Sequence, residues 1–153
     1  MLLTIDVGNT NITMGVFRGE ELLGMFRMTT KRPRTSDEYG MTICGILEHR
    51  SIDPKEIQAV IIASVVPDIM HSLTNAIIKY LDTVPLIVSP ESDTGIRVLT
   101  DNPSRTGPDR IVNAVAGYAR AGGSAIVIDF GTATTYDLIG PDGTLEACII
   151  APG

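Results

Sequence analysis

The residues best suited to chemistry in this chain come as one short phrase used twice. Ile5-Asp6-Val7-Gly8-Asn9-Thr10-Asn11 opens it, and Ile128-Asp129-Phe130-Gly131-Thr132-Ala133-Thr134-Thr135 returns near its end. In each copy an apolar run delivers an Asp, turns through Gly and Thr, and resumes as a second run, Ile12 to Phe17 or Tyr136 to Ile139. Gly permits positive φ and close backbone approach, so successive N–H groups of such a turn can point at an anion. The Asp at the strand end can hold a cation or its water shell. Two such turns facing each other would grip a polyphosphate and its metal from both sides. Asp-x-Gly alone is ordinary hairpin chemistry. The repeated order, Ile-Asp-x-Gly with Thr downstream, is more than a shared turn type requires.

A second cluster, Gly107-Pro108-Asp109-Arg110, stands at the head of an amphipathic segment. Its apolar positions are Ile111, Val112, Val115, Tyr118 and Ala119, and it stops at Gly122-Gly123. A carboxylate in reach of a substrate hydroxyl can accept its proton. The same Asp-Arg pair also suits an ordinary helix start, with Asp on the dipole and a neighbouring salt bridge. Neither Gly-x-x-x-x-Gly-Lys-[Ser/Thr] nor Gly-x-Gly-x-x-Gly occurs, which removes a P-loop or Rossmann turn as the nucleotide site. Cys44 and Cys148 form no Cys-x-x-Cys pattern, and His49 and His71 sit on expected helices, so neither a disulfide framework nor a zinc site is indicated.

The elements that must position these residues follow from periodicity. Strands are expected at Leu2 to Val7, Ile12 to Phe17 and Leu22 to Met28. Thr35, with Glu38 three residues later, forms a capping box ahead of a helix with Tyr39, Ile43, Ile46 and Leu47 on one face. Asp53-Pro54 is a further short helical start, and Ala59 to Ala63 reads as a buried parallel strand. Pro67 opens a helix whose face is Met70, Leu73, Ile77, Tyr80 and Leu81, and Leu86 to Val88 is another short strand. Ser89 to Arg105 reads as a polar loop or an inter-domain crossing. After the Gly107 helix come strands at Ala125 to Phe130, Thr135 to Ile139 and Thr144 to Ile150. The order β-β-β-α-β-α-β, then a helix and a second meander, predicts an α/β protein with mixed sheets covered by helices.

Composition narrows the setting. A chain of 153 residues with 44% hydrophobic content can hold one ordinary domain, or one domain and part of another. A net charge of −6 argues against a nucleic-acid surface, and the only basic cluster is Lys31, Arg32 and Arg34. Asp6 interrupts the first apolar stretch and no run approaches membrane-spanning length. A cytoplasmic protein with no nucleic-acid or membrane partner is expected.

In wording, the chain resembles the type III pantothenate kinases, within the superfamily of acetate and sugar kinases, actin and the heat-shock chaperone ATPases. The resemblance is carried by Asp6-Val7-Gly8-Asn9-Thr10-Asn11, Ser64-Val65-Val66-Pro67, Asp101-Asn102-Pro103, Gly107 to Ala114, Asp129 to Thr135 and Ala151-Pro152-Gly153. It implies a two-domain, actin-like ATPase (ribonuclease H-like) fold with the nucleotide between related domains, divided here into 1–106 and an incomplete 107–153. It also implies phosphorylation of pantothenate by ATP at the start of coenzyme A synthesis. On that reading Asp6, Val7, Gly8, Asn9, Thr10, Asn11, Ile12 and Thr13 form the first phosphate turn, with Asp6 helping to hold Mg²⁺. Thr132 contacts ATP, and Asp129 binds a monovalent cation, K⁺ or NH₄⁺. Gly107, Pro108, Asp109 and Arg110 bind pantothenate, with Asp109 as the base and Arg110 suited to the substrate carboxylate. A homodimer is implied as well. The alternative is a non-catalytic accessory relative that keeps the fold.

The chain departs from the family pattern at Thr100, where a substrate-contacting Tyr is usual, and at Ala147 and Cys148, where a Gly-Gly pair is usual. It also stops at Gly153, where the family continues, so a fragment whose second meander exposes apolar surface and self-associates is expected.

Overall fold

Alternation at the N-terminus sets one strand face inward: Leu3, Ile5 and Val7 are buried, while Leu2 and Asp6 are exposed. The computed structural model describes residues 1–30 and 33–153, so Lys31 and Arg32 of the basic loop lie outside the described residues. Strands β1 (Leu2–Val7), β2 (Asn11–Arg18) and β3 (Glu21–Thr29) form the expected antiparallel meander. Helix α1 (Ser36–His49) begins at the capping box. Thr35 Oγ1 accepts from the Glu38 N–H at 3.2 Å, and the Glu38 carboxylate accepts from the Thr35 N–H at 2.7 Å.

Strand β4 (Ala59–Ser64) runs parallel to β1, and α2 (Pro67–Leu81) leads to β5 (Leu86–Ile87), parallel to β4. The sheet order is β3-β2-β1-β4-β5. Its core gathers Leu3, Ile5, Ile12, Met14 and Ile62 with Tyr39, Ile43 and Leu47 of α1 and Leu73 and Ile77 of α2. The inward face of α2 differs from expectation: Ile69 and Ala76 are buried, whereas Tyr80 packs against Gly40 and donates its hydroxyl to Asp37 at 2.9 Å. The polar end of Tyr80 reaches the surface, where the Asp37 carboxylate of α1 accepts that bond.

The chain divides into two compact units, Met1–Ile87 and Val88–Gly153. The expected division at 106/107 falls later than this one, because a strand hidden in the polar stretch already belongs to the second sheet. That strand, β6 (Arg97–Val98), pairs in parallel with β9 (Thr144–Pro152). The second unit continues with α3 (Pro108–Ala121), β7 (Ala125–Phe130) and β8 (Ala133–Ile139), in the sheet order β6-β9-β8-β7. Ala114 of α3 packs with Ile139 and Leu145 in a small core. Gly117 lets α3 approach the sheet, because a Cβ there would lie 2.3 Å from Val127 Cγ2. Among the described residues no helix is long and apolar enough to cross a membrane.

Candidate functional site

Each Asp-x-Gly phrase forms a hairpin turn whose geometry follows from its neighbours. In the first, buried Val7 and Ile12 pin the strand ends. The Gly8 N–H then closes the turn on the Asn11 carbonyl at 2.9 Å. A Cβ on Gly8 would sit 3.2 Å from that oxygen, so the tight turn favours glycine. Thr30, just past β3, donates its hydroxyl to the Gly8 carbonyl at 2.7 Å and its N–H to the Thr10 carbonyl at 2.9 Å. Two turn carbonyls are thereby tied toward β3. Asp6 stands exposed at the strand end, opposite Thr13.

The second turn keeps this pairing but is tighter. Asp129 stands exposed opposite Thr135, and the Gly131 N–H closes on the Ala133 carbonyl at 3.1 Å, two residues on rather than three. Gly153 backs this turn so closely that a Cβ there would come within 2.7 Å of the Thr132 carbonyl oxygen. Asn113 of α3 donates its amide to Asp129 Oδ2 at 3.3 Å, which links the second turn to the helix that carries Asp109. Each turn thus offers one exposed carboxylate beside a hydroxyl-bearing strand. Among the described residues no three His, Cys, Asp or Glu side chains gather into a metal cage. A single carboxylate suits Mg²⁺ that draws its other ligands from phosphates and water.

Asp109 sits in the first turn of α3, behind Gly107 in extended conformation and Pro108 at the helix start. Asp109 Oδ1 accepts from the Arg110 N–H at 2.9 Å. Burial pushes the Asp109 carboxyl above its ordinary range. The Arg110 N–H and charge pull it back, and the Asp137 charge raises it again. Arg110 turns inward, and its Nη1 donates to Asp137 Oδ1 at 2.6 Å, with both side chains almost wholly buried. Burial opposes the guanidinium charge, but the Asp137 bond and charge outweigh it, and Arg110 titrates above its usual value.

In this structure the Arg110 guanidinium is therefore turned inward to Asp137, beneath the Gly107–Asp109 segment. No motif in the sequence marks Asp137, the partner of Arg110. Its signal lay in one charge inside the apolar run Tyr136-Asp137-Leu138-Ile139, since a buried charge needs a partner. Cys148 stands directly across from Asp137 on β9. Burial, then Asp137, pushes its thiol up to about 11, so it stays protonated at neutral pH. Ala147 pairs with Leu138, and the Thr100 hydroxyl meets that of buried Thr106 at 3.0 Å.

The mixed sheets define an actin-like ATPase and sugar-kinase fold. A ROK hexokinase from Thermus thermophilus shares it with a TM-score of 0.52 at 12% identity, over 92% of this chain and 46% of that one. Residues 2–153 match the type III pantothenate kinase family model, and the chain belongs to that family. Type III pantothenate kinases of Agathobacter rectalis and of Listeria monocytogenes serotype 4a are 55% and 49% identical to it over 153 residues. The match takes in 100% of this chain and 59% of each of those proteins, so the chain spans about three-fifths of the length of the curated relatives it matches.

Proposed function

We propose that this chain supplies the phosphate turns and the base of a kinase that transfers the γ-phosphoryl group of ATP to pantothenate, giving 4′-phosphopantothenate for coenzyme A synthesis. The observation that carries the reading is Asp109, half-buried in the first turn of α3 with its proton affinity raised by burial. A carboxylate so tuned accepts a hydroxyl proton more readily than an ordinary surface Asp. Its proton acceptance would accompany attack of the substrate hydroxyl on phosphorus, with ADP leaving. Phosphoryl transfer asks chiefly for positioning and charge neutralisation. Asp6 through Thr13 and Thr132 would hold the ATP phosphates, with Asp6 toward Mg²⁺ and Asp129 toward a monovalent cation, K⁺ or NH₄⁺. Gly107, Pro108, Asp109 and Arg110 would form the pantothenate segment, Arg110 acting from beneath it. A homodimer in the cytoplasm is the setting that the family resemblance implies.

The test is a coupled assay on the full-length kinase with ATP, Mg²⁺, K⁺ and pantothenate. Asp109→Asn should lower kcat by about 10²–10⁴-fold, the usual cost of a lost general base. A loss under about tenfold would remove Asp109 from that role. Full activity with Na⁺ as the only monovalent cation would remove the monovalent-cation role given to Asp129.

A further inference from the structure

We propose that Asp137 is a positioning residue for phosphoryl transfer. By drawing the Arg110 guanidinium into the interior, it fixes the first turn of α3 and thereby places Asp109 against the substrate hydroxyl. This rests on the reading of Asp109 as the base.

Three observations support it. The first is that a buried ion pair is a poor choice for stability alone, since apolar side chains of similar volume often do as well or better. Ile139 and Leu145, buried in the same unit, show that this core takes such side chains. The second is connectivity. Arg110 directly follows Asp109, its N–H binds Asp109 Oδ1 at 2.9 Å, and its side chain runs to Asp137 Oδ1 at 2.6 Å. The base is therefore held from its own backbone neighbour, and that neighbour is held from β8. Further along α3, Gly117 lets the helix lie close against Val127 of the sheet, where an added Cβ would not fit.

The third observation is charge. The charged and titratable groups around Asp109 are Arg110 on α3, Asp137 on β8 and, beside the pair on β9, the neutral Cys148 thiol. On β7, Asp129 is engaged by Asn113, one turn further along α3. Of these charged groups, Asp137 raises the Asp109 proton affinity whereas Arg110 lowers it. Without it, an uncompensated guanidinium would stand beside the base and favour its ionised, less basic form.

The decisive variant is Asp137→Asn in the full-length kinase, read by the pH dependence of kcat and by carboxyl NMR titration of Asp109. The acid limb and the Asp109 midpoint should both move to lower pH. Misplacing the reacting group should lower kcat by up to about 10²-fold, with KM for ATP unchanged. A merely structural Asp137 would lower the melting temperature without moving either titration. Unmoved titrations with kcat within about threefold of the parent would overturn the proposal. If Asp137→Asn does not fold, Asp137→Glu decides. It keeps the charge but displaces the guanidinium, so kcat should fall by at least about tenfold, and a parental kcat would overturn the proposal. The NMR titration needs no turnover, so it separates failure of this proposal from failure of Asp109 as the base.

Discussion

A base that must be ionised to work, yet is disfavoured as an ion by its surroundings, works against folding. Burial raises the Asp109 carboxyl above its ordinary value, so the folded chain holds this proton to higher pH than the unfolded chain does. Its contribution to stability is complete below the unfolded value, about 3.9, and is lost as pH rises through the folded value. Asp109→Asn removes that loss and keeps an oxygen for the Arg110 N–H. The variant should therefore be at least as stable as the parent at pH 7, while showing less loss of stability between about pH 4 and pH 7. Urea midpoints at the two pH values check it, and a lower midpoint at pH 7 would mean that the carboxylate strengthens the helix start by more than its burial costs. At this scale the sequence discloses what depends on residue type and order. Asp6, Asp109 and Asp129 are visible because turn glycines or a helix start surround them. Asp137 escapes because its need for a partner arises only on burial, and that partner lies 27 positions away.

Helix α3 carries Asp109 at one end and Asn113 one turn on, so its seating on the sheet sets where both side chains point. Gly117 makes the seating close. A methyl group there would meet Val127 Cγ2 at 2.3 Å and Ile139 Cδ1 at 3.2 Å, and a β-branched Val cannot swing aside cheaply. Gly117→Ala would gain about 1 kcal/mol of helix propensity but should lose about 1–3 kcal/mol to overpacking. The expected net result is a destabilisation of about 1 kcal/mol, measured by urea denaturation, and an unchanged or higher midpoint would show that the helix shifts freely. The helices themselves were legible, because Thr35 with Glu38 and Pro108 after Gly107 are local signals that decide local structure. Strand β6 was not. Two residues in a polar stretch carry no period, and Arg97-Val98 becomes a strand only because β9 offers an edge, with Arg97 also reaching the Thr144 hydroxyl at 3.1 Å and pairing with Asp142.

Across the molecule, the two sheets differ in how their faces are covered. The first unit buries a large core beneath α1 and α2, whereas α3 covers one face of the second sheet and leaves the other bare among the described residues. Cross-strand register builds the bare face into a continuous surface: Ile128 pairs with Tyr136, which pairs with Ile149, and Ile126 pairs with Leu138. Ile126 is 64% exposed, Phe130 81% and Ile149 62%. Val127 and Ile139 lie in the same apolar runs but not on this surface. Strand alternation turns both toward α3, where they pack with its core, and puts Phe130 and Tyr136 into the exposed set instead. Contiguous apolar area of this kind on a sheet marks an interface or an aggregation hazard. Residues 1–153 alone should therefore self-associate at micromolar concentration. Substituting Ile126→Lys and Ile149→Lys together should suppress it, since each charge interrupts one cross-strand row without entering the core. Light scattering on parent and variant checks both halves of the expectation. A parent that stays monomeric would show that this face tolerates water, and association that survives the two lysines would locate it elsewhere on the surface.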